Sequence, residues 1–382
     1  MHSSLALTAL ALAVTPALAQ STPAEAAGTA GKDAKGIYMA SGEAKLYFGG
    51  FLQSRFSLNS RNDVVDPEQD LTTGFSTRRV RMGMQGDLNK QLSFKIEGDG
   101  APDEFKILDA YGRWTFDGGS RMRWGQFKIP LLKEELISDT QQQFVEKTNA
   151  NAVFTQDRSQ GIDFQWNDDS IRLTGAFSDG IKTLNTSFDS TAEADYALTG
   201  RVEYKWAGDW KNFDSFTSFK GGKYAGYIGG AVHFQDGGET GGTTDTQVLE
   251  YTVDTMAKGD GWNVFAAFIG RRTETTATEF DDFAFILQGG TMVTNNVELF
   301  ARYNFISPDD DRANGADFSE ATIGATHFII PESHAAKLVT DLTWAFDDQA
   351  GSSSIVRPSA ANAFLAAPDD QIYARVQFQI VF

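Results

Sequence analysis

From residue 45 to its end the chain alternates apolar and polar residues in one stretch after another, and a period of two dictates strands with one apolar and one polar face. In 45–58 the apolar parity holds Leu46, Phe48, Leu52, Phe56 and Leu58, and the other holds Lys45, Gln53 and Arg55. Val80, Met82 and Met84 alternate with Arg79, Arg81 and Gln85, and Leu92, Phe94 and Ile96 alternate with Ser93, Lys95 and Glu97. Then Leu108, Ala110, Trp114 and Phe116 alternate with Asp109, Tyr111, Arg113 and Thr115. Stretches of this length suit a tilted membrane crossing, which takes about 9–11 residues per strand.

Soluble sheets alternate too, so the surroundings of the pattern decide. Residues 1–19 read as a secretory signal, with the apolar run LALTALALAV at 5–14 and the small-residue site Ala17-Leu18-Ala19, which would start the mature chain at Gln20. Residues 20–43, rich in Ala, Gly, Ser and Thr, read as a flexible periplasmic leader, and 44–382 as the folded domain. No later run of about 18 apolar residues occurs, which excludes a transmembrane helix. A chain of this kind that spans a membrane must then close into a barrel, because every backbone group in hydrocarbon needs an internal partner. The absence of cysteine argues against a disulfide scaffold, and a formal charge of −18 argues against nucleic acid as a partner.

Connection lengths alternate as well. The gap 86–90 is a tight turn, whereas 59–74 and 129–160 are long, the arrangement of an up-and-down antiparallel barrel with short turns on one side of the membrane and long loops on the other. Further strands are expected at 160–167, 170–178, 196–206, 223–235, 246–256, 262–271, 282–291, 296–305, 320–330, 336–346 and 371–382, which gives about sixteen in all. Residues 210–219 read as either a loop or one more strand. The chain ends on Ile372, Ala374, Val376, Phe378, Ile380 and Phe382, opposite Tyr373, Arg375, Gln377 and Gln379. A final amphipathic strand closing on an aromatic residue is similar to the element by which outer-membrane barrels are recognised by their assembly machinery.

The segments TRRVRMGMQGDLNKQLSFKIEGD (77–99), LDAYGRW (108–114) and RWGQFKIPLLKEELISDTQQQFVEK (123–147) resemble the phosphate-selective porin O and P family, most specifically over 77–161. The resemblance implies an outer-membrane localisation in a Gram-negative bacterium and a sixteen-stranded homotrimeric barrel whose third extracellular loop folds into the lumen. It also implies passive diffusion of small hydrophilic solutes with a preference for anions such as phosphate, bound by a ladder of arginines. Lipopolysaccharide and outer-membrane lipid would surround the barrel.

Parity sorts the lumen side from the lipid side. On the first strands the polar parity carries Lys45, Arg55, Arg79, Arg81, Lys95, Arg113, Arg121 and Arg123 against Glu97, Asp99 and Asp109, a basic wall suited to anions. We take Arg55, Arg79, Arg81, Lys95, Arg113, Arg121 and Arg123 as candidate pore-lining, substrate-binding residues. Later strands are nearly balanced, with Arg172 and Arg201 among their inward cations. The negative total therefore falls mainly on loops, in clusters such as Asp309-Asp310-Asp311 and Asp369-Asp370, which either keep the loops hydrated, the reading we favour, or bridge through divalent cations to lipopolysaccharide.

A full arginine ladder is not legible, and the third loop carries Glu134, Glu135, Asp139 and Glu146. That composition also fits a general-diffusion porin without phosphate specificity, in which loop acids face arginines across the lumen. A barrel enzyme and a binding or adhesion barrel are the remaining alternatives, the latter usually smaller, with a plugged interior and no long inward loop. His2 lies in the signal and His233, His327 and His334 are scattered, so no metal site or catalytic triad is expected, and no cofactor.

Overall fold

The structure, a computed structural model, describes residues 28–33, 36–61, 70–101, 104–237, 246–313, 315–347, 355–367 and 370–382. Sixteen antiparallel strands close into one barrel. They are β3 (Ala44–Arg61), β4 (Leu71–Asp87), β5 (Leu92–Asp99), β6 (Lys106–Thr115), β7 (Arg121–Lys128), β8 (Arg158–Asn167), β9 (Ile171–Ser178) and β10 (Tyr196–Ala207). The second half comprises β11 (Ala225–Asp236), β12 (Gln247–Gly259), β13 (Trp262–Glu274), β14 (Glu279–Met292), β15 (Val297–Ser307), β16 (Phe318–Phe328), β17 (Ala336–Ala345) and β18 (Gln371–Val381). Each pairs with the next, and β18 returns to β3 in the register Gln371↔Arg61 to Val381↔Phe51.

Two short strands precede the barrel, β1 (Thr29–Asp33) and β2 (Gly36–Ser41). β3 is 18 residues long and β18 only 11, so the first part of β3 extends past its partner as an unpaired edge. β2 fills it, pairing Ile37↔Phe48 through Ser41↔Ala44, and β1 pairs with β2. The described part of the stretch expected to be flexible leader is thus paired sheet. The signal segment and residues 20–27 lie outside the described residues.

The barrel is inside out relative to a soluble protein. On β18, Gln371, Tyr373, Arg375, Gln377 and Gln379 are buried, while Ile372, Val376, Phe378 and Ile380 are exposed. The same holds for Glu250, Thr252 and Asp254 against Leu249, Tyr251 and Val253 on β12. Apolar side chains can face outward in such number only if the surrounding solvent is hydrocarbon. With the short turns placed on the periplasmic side, the long connections 129–157 and 179–195 are extracellular. One periplasmic connection departs from the rule: 208–224, between β10 and β11, is long and contains a 3-10 turn at Trp210–Asp214.

Candidate functional site

The third extracellular loop (129–157) carries two short helices, α1 (Lys133–Leu136) and α2 (Asn149–Phe154), and crosses the barrel interior. Its apolar residues Leu131, Leu132, Ile137, Ala150 and Phe154 belong to one buried cluster with the inward Ala267, Ile269, Ala284, Ile286 and Ile306 of β13–β15. Phe144 packs edge-on against Phe300, with ring centroids 4.5 Å apart. Hydrogen bonds fasten its far side: Gln143 Nε2 donates to Glu298 (2.7 Å), Lys337 Nζ to the Gln142 carbonyl (2.8 Å), and the Val145 amide to Asp341 (3.1 Å). Gly290 leaves room for this docking, since a Cβ there would lie 2.1 Å from Gln143 Nε2.

The loop carboxylates Glu134, Glu135, Asp139 and Glu146 are taken up by groups of the wall and of the loop itself. Glu146 receives Arg55, Arg78 (2.6 Å) and Arg79 (2.7 Å). Asp139 pairs with Arg81 (2.5 Å) and Lys147 (3.1 Å), Glu135 with Lys128 (3.0 Å) and Lys147 (2.9 Å), and Glu134 accepts from Thr148. Burial opposes the charge on Glu146, but Arg78, Arg79 and Arg55 outweigh it and hold the carboxyl well below the usual range. Burial is likewise overcome at Asp139 by Arg81, Lys147 and Arg79, and at Glu135 by Lys128 and Lys147, which hold it down to about 2.

This pairing divides the expected pore-lining set. Arg55, Arg79 and Arg81 lie on the inner wall as parity requires, but they are covered by the loop and spent on its acids. Lys95 is paired with Asp109 (2.6 Å), and Arg123 with Asp163 (2.5 Å), its guanidinium also lying over the Phe127 ring. Arg113 donates to the Tyr111 hydroxyl (3.0 Å). Arg113 and Arg121 have no carboxylate within ion-pairing distance among the described residues, and their Nε donors have no protein partner.

Opposite the loop's docking wall remains a cavity of about 1140 Å³. Lys95, Arg113, Arg121, Arg123, Arg172 and Arg201 line it from the barrel, and Lys133, Ile137, Ser138 and Gln141 from the loop. Its carboxylates are Asp109, Glu203, Asp209, Asp214 and Glu332, of which Asp109 and Glu203 are themselves ion-paired. A second cavity of about 670 Å³ at the periplasmic mouth shares Arg113 with the first, so this guanidinium borders both spaces. Arg172 and Arg201, inward by parity, join the cavity although they stood outside the candidate set. Arg78 was missed outright, and a β-bulge explains it. Gln53 faces Arg79 and Ser54 faces Thr77, so Arg78 is the extra residue and its side chain also reaches Glu146.

A closed sixteen-strand barrel with an apolar exterior and a narrowed polar lumen defines an outer-membrane channel. Residues 52–269 match the family described as phosphate-selective porin O and P, and the chain belongs to that family, whose members reside in the Gram-negative outer membrane and are channels rather than enzymes. Among solved structures it is similar to an anion-selective porin from Comamonas acidovorans, with 15% identity, 89% of this chain and 100% of that chain covered, and a TM-score of 0.61. It also resembles OmpT of Vibrio cholerae (12% identity, 90% and 99% covered, TM-score 0.59) and the channel DcaP of Acinetobacter baumannii (13% identity, 88% and 97% covered, TM-score 0.59). At these identities the likeness shows the fold. An uncharacterized protein of Caulobacter vibrioides is 26% identical over 147 residues, 36% of this chain and 29% of that relative's length.

Proposed function

We propose that the protein is a passive diffusion channel for small hydrophilic solutes with a preference for anions, oxyanions of the phosphate type among them. The observation that carries this reading is the asymmetry of the lumen: the loop carboxylates are consumed by Arg55, Arg78, Arg79, Arg81, Lys128 and Lys147, while Arg113 and Arg121 face the cavity without a carboxylate partner among the described residues. A guanidinium supplies charge and planar paired donors, which suit carboxylate and phosphate oxygens. The anion selectivity of the Comamonas porin, whose fold this chain shares, accords with this. The reading also includes a homotrimer, since OmpT has a trimer form, a lipopolysaccharide-containing lipid surround, and recognition of β18 with the following Phe382 by the barrel-assembly machinery.

Planar bilayers under a salt gradient test it. The reversal potential is expected to show anion preference, and millimolar phosphate to block part of the chloride current. A cation-selective channel would instead mean that Asp209, Asp214 and the acidic extracellular loops set the field, the general-diffusion alternative.

A further inference from the structure

The periplasmic connection 208–224 does not lie flat beneath the barrel. Phe213 packs on the inward Tyr227 with centroids 4.8 Å apart, and Phe216 on the inward Phe265 at 5.1 Å. Thr217 donates to Glu298 (2.9 Å), the same carboxylate that receives Gln143 of the third loop. Lys258 Nζ donates to the Asn212 and Ser215 carbonyls (2.9 and 2.7 Å), and Ser215 meets His334 at 3.2 Å, itself 3.3 Å from Lys337. The segment is therefore anchored up inside the lumen by buried side chains of β12, β13 and β15. Its exposed residues Asp209, Lys211 and Asp214 line the large cavity together with Lys133, Ile137, Ser138 and Gln141 of the third loop. Its Trp210 ring carries the guanidinium of Arg172 at 4.2 Å and so positions one of the cavity cations.

We propose that 208–224 is a second constriction element, which meets the third loop at Glu298 and with it bounds the arginine-lined cavity, so that a solute must pass both. The turn sets access from the periplasmic side, and Lys211 acts on permeating anions there. The inference rests on the anion-channel reading for the sign of its effects, not for the geometry.

The chain contains no cysteine, so a single introduced thiol reports cleanly. In Lys211→Cys channels in bilayers, a sulfonatoethyl methanethiosulfonate applied from the periplasmic side is expected to lower conductance by roughly a third or more and to reduce anion preference, because it places an anion in the path. The aminoethyl reagent, which returns a cation, should leave the preference near that of the unmodified protein. Asn295→Cys, in the exposed turn between β14 and β15, should respond to neither. A second variant joins Gly208 to Gly222 through Asn-Gly, and its conductance should rise by about half or more if it assembles. Full modification of Lys211→Cys with no change of current overturns the proposal, whether or not the shortened variant folds. The reversal potential of the unsubstituted channel in the same bilayers keeps the two readings apart: cation preference there sinks the anion-channel reading, whereas anion preference with an unresponsive Lys211→Cys channel sinks only the second constriction.

Discussion

Glu146 is one carboxylate on which three guanidiniums converge, and all four groups are largely withdrawn from water. Removing its charge leaves Arg55 and Arg78 without a carboxylate and Arg79 with only the longer pair to Asp139 (3.7 Å), a loss of about 3–5 kcal/mol for a broken buried pair. Glu146→Gln is expected to loosen the third loop, seen as fluctuating single-channel current and faster proteolysis within 129–157. A quiet channel of unaltered conductance would show that the apolar contacts of Phe144 and Leu131 hold the loop alone. The two arginines of β7 should separate as well. Arg123 is neutralised in place by Asp163, its register partner on β8, and Arg121 is not, so Arg121→Gln should shift the reversal potential toward zero more than Arg123→Gln does. Parity placed both on the lumen side, but only strand register shows which of them meets a carboxylate among the described residues. Parity also failed at Arg78, because nothing in TRRVRM marks the bulge.

Among elements, the third loop was legible as long and functional, whereas its docking partner was not. β13 and β14 bury Phe265, Ile269, Ala284 and Ile286 inward while exposing Val264, Phe268, Phe285 and Leu287 outward. The runs VFAAFIG and FAFIL are apolar on both faces, a signal that these strands are covered on both sides. The inward turn has a comparable trace in Trp210, Phe213, Phe216 and Phe219, aromatics every third residue in a stretch that alternation reads as a loop or an extra strand. Deleting 138–152 is expected to raise conductance, and also to lower the temperature at which the folded barrel unfolds in detergent, because the apolar inner wall loses its cover. Unchanged conductance would mean that the current bypasses the loop. The loop's response to pH follows from its carboxylates. Glu146, Asp139 and Glu135 are held below their unfolded values of about 4.3, 3.9 and 4.3, so their stabilisation is complete above those values and is lost only as pH falls through the folded ones. Between about pH 8 and pH 5 these three groups should therefore cause no step in single-channel conductance, and they should change it only in strong acid; Glu134, whose carboxyl burial pushes up, is the loop group that takes up a proton first. A step near neutrality would place control in some other group.

At the scale of the whole molecule, the formal charge of −18 and a lumen rich in arginine act on the same permeating ion from different distances. Asp309, Asp310 and Asp311 lie in the connection between β15 and β16, and Glu274, Glu279 and Asp281 gather around Arg272, all at the extracellular end. Arg113, Arg121 and Arg172 line the cavity itself, next to the ion's path. Salt screens the far charges before the near ones, because the Debye length falls from about 30 Å at 0.01 M to about 10 Å at 0.1 M and about 3 Å at 1 M. In dilute salt the acidic rim reaches into the lumen and opposes the entry of anions. Near 0.1 M the rim is largely screened while the cavity arginines still act, and near 1 M both fields fade. Anion preference from reversal potentials should therefore pass through a maximum with ionic strength, and Arg121→Gln should lower the maximum without moving the dilute-salt side. A preference that falls steadily from the most dilute salt would show that the acidic rim has no hold on the pore, and cation preference throughout would show that the rim, not the arginine cavity, governs the channel.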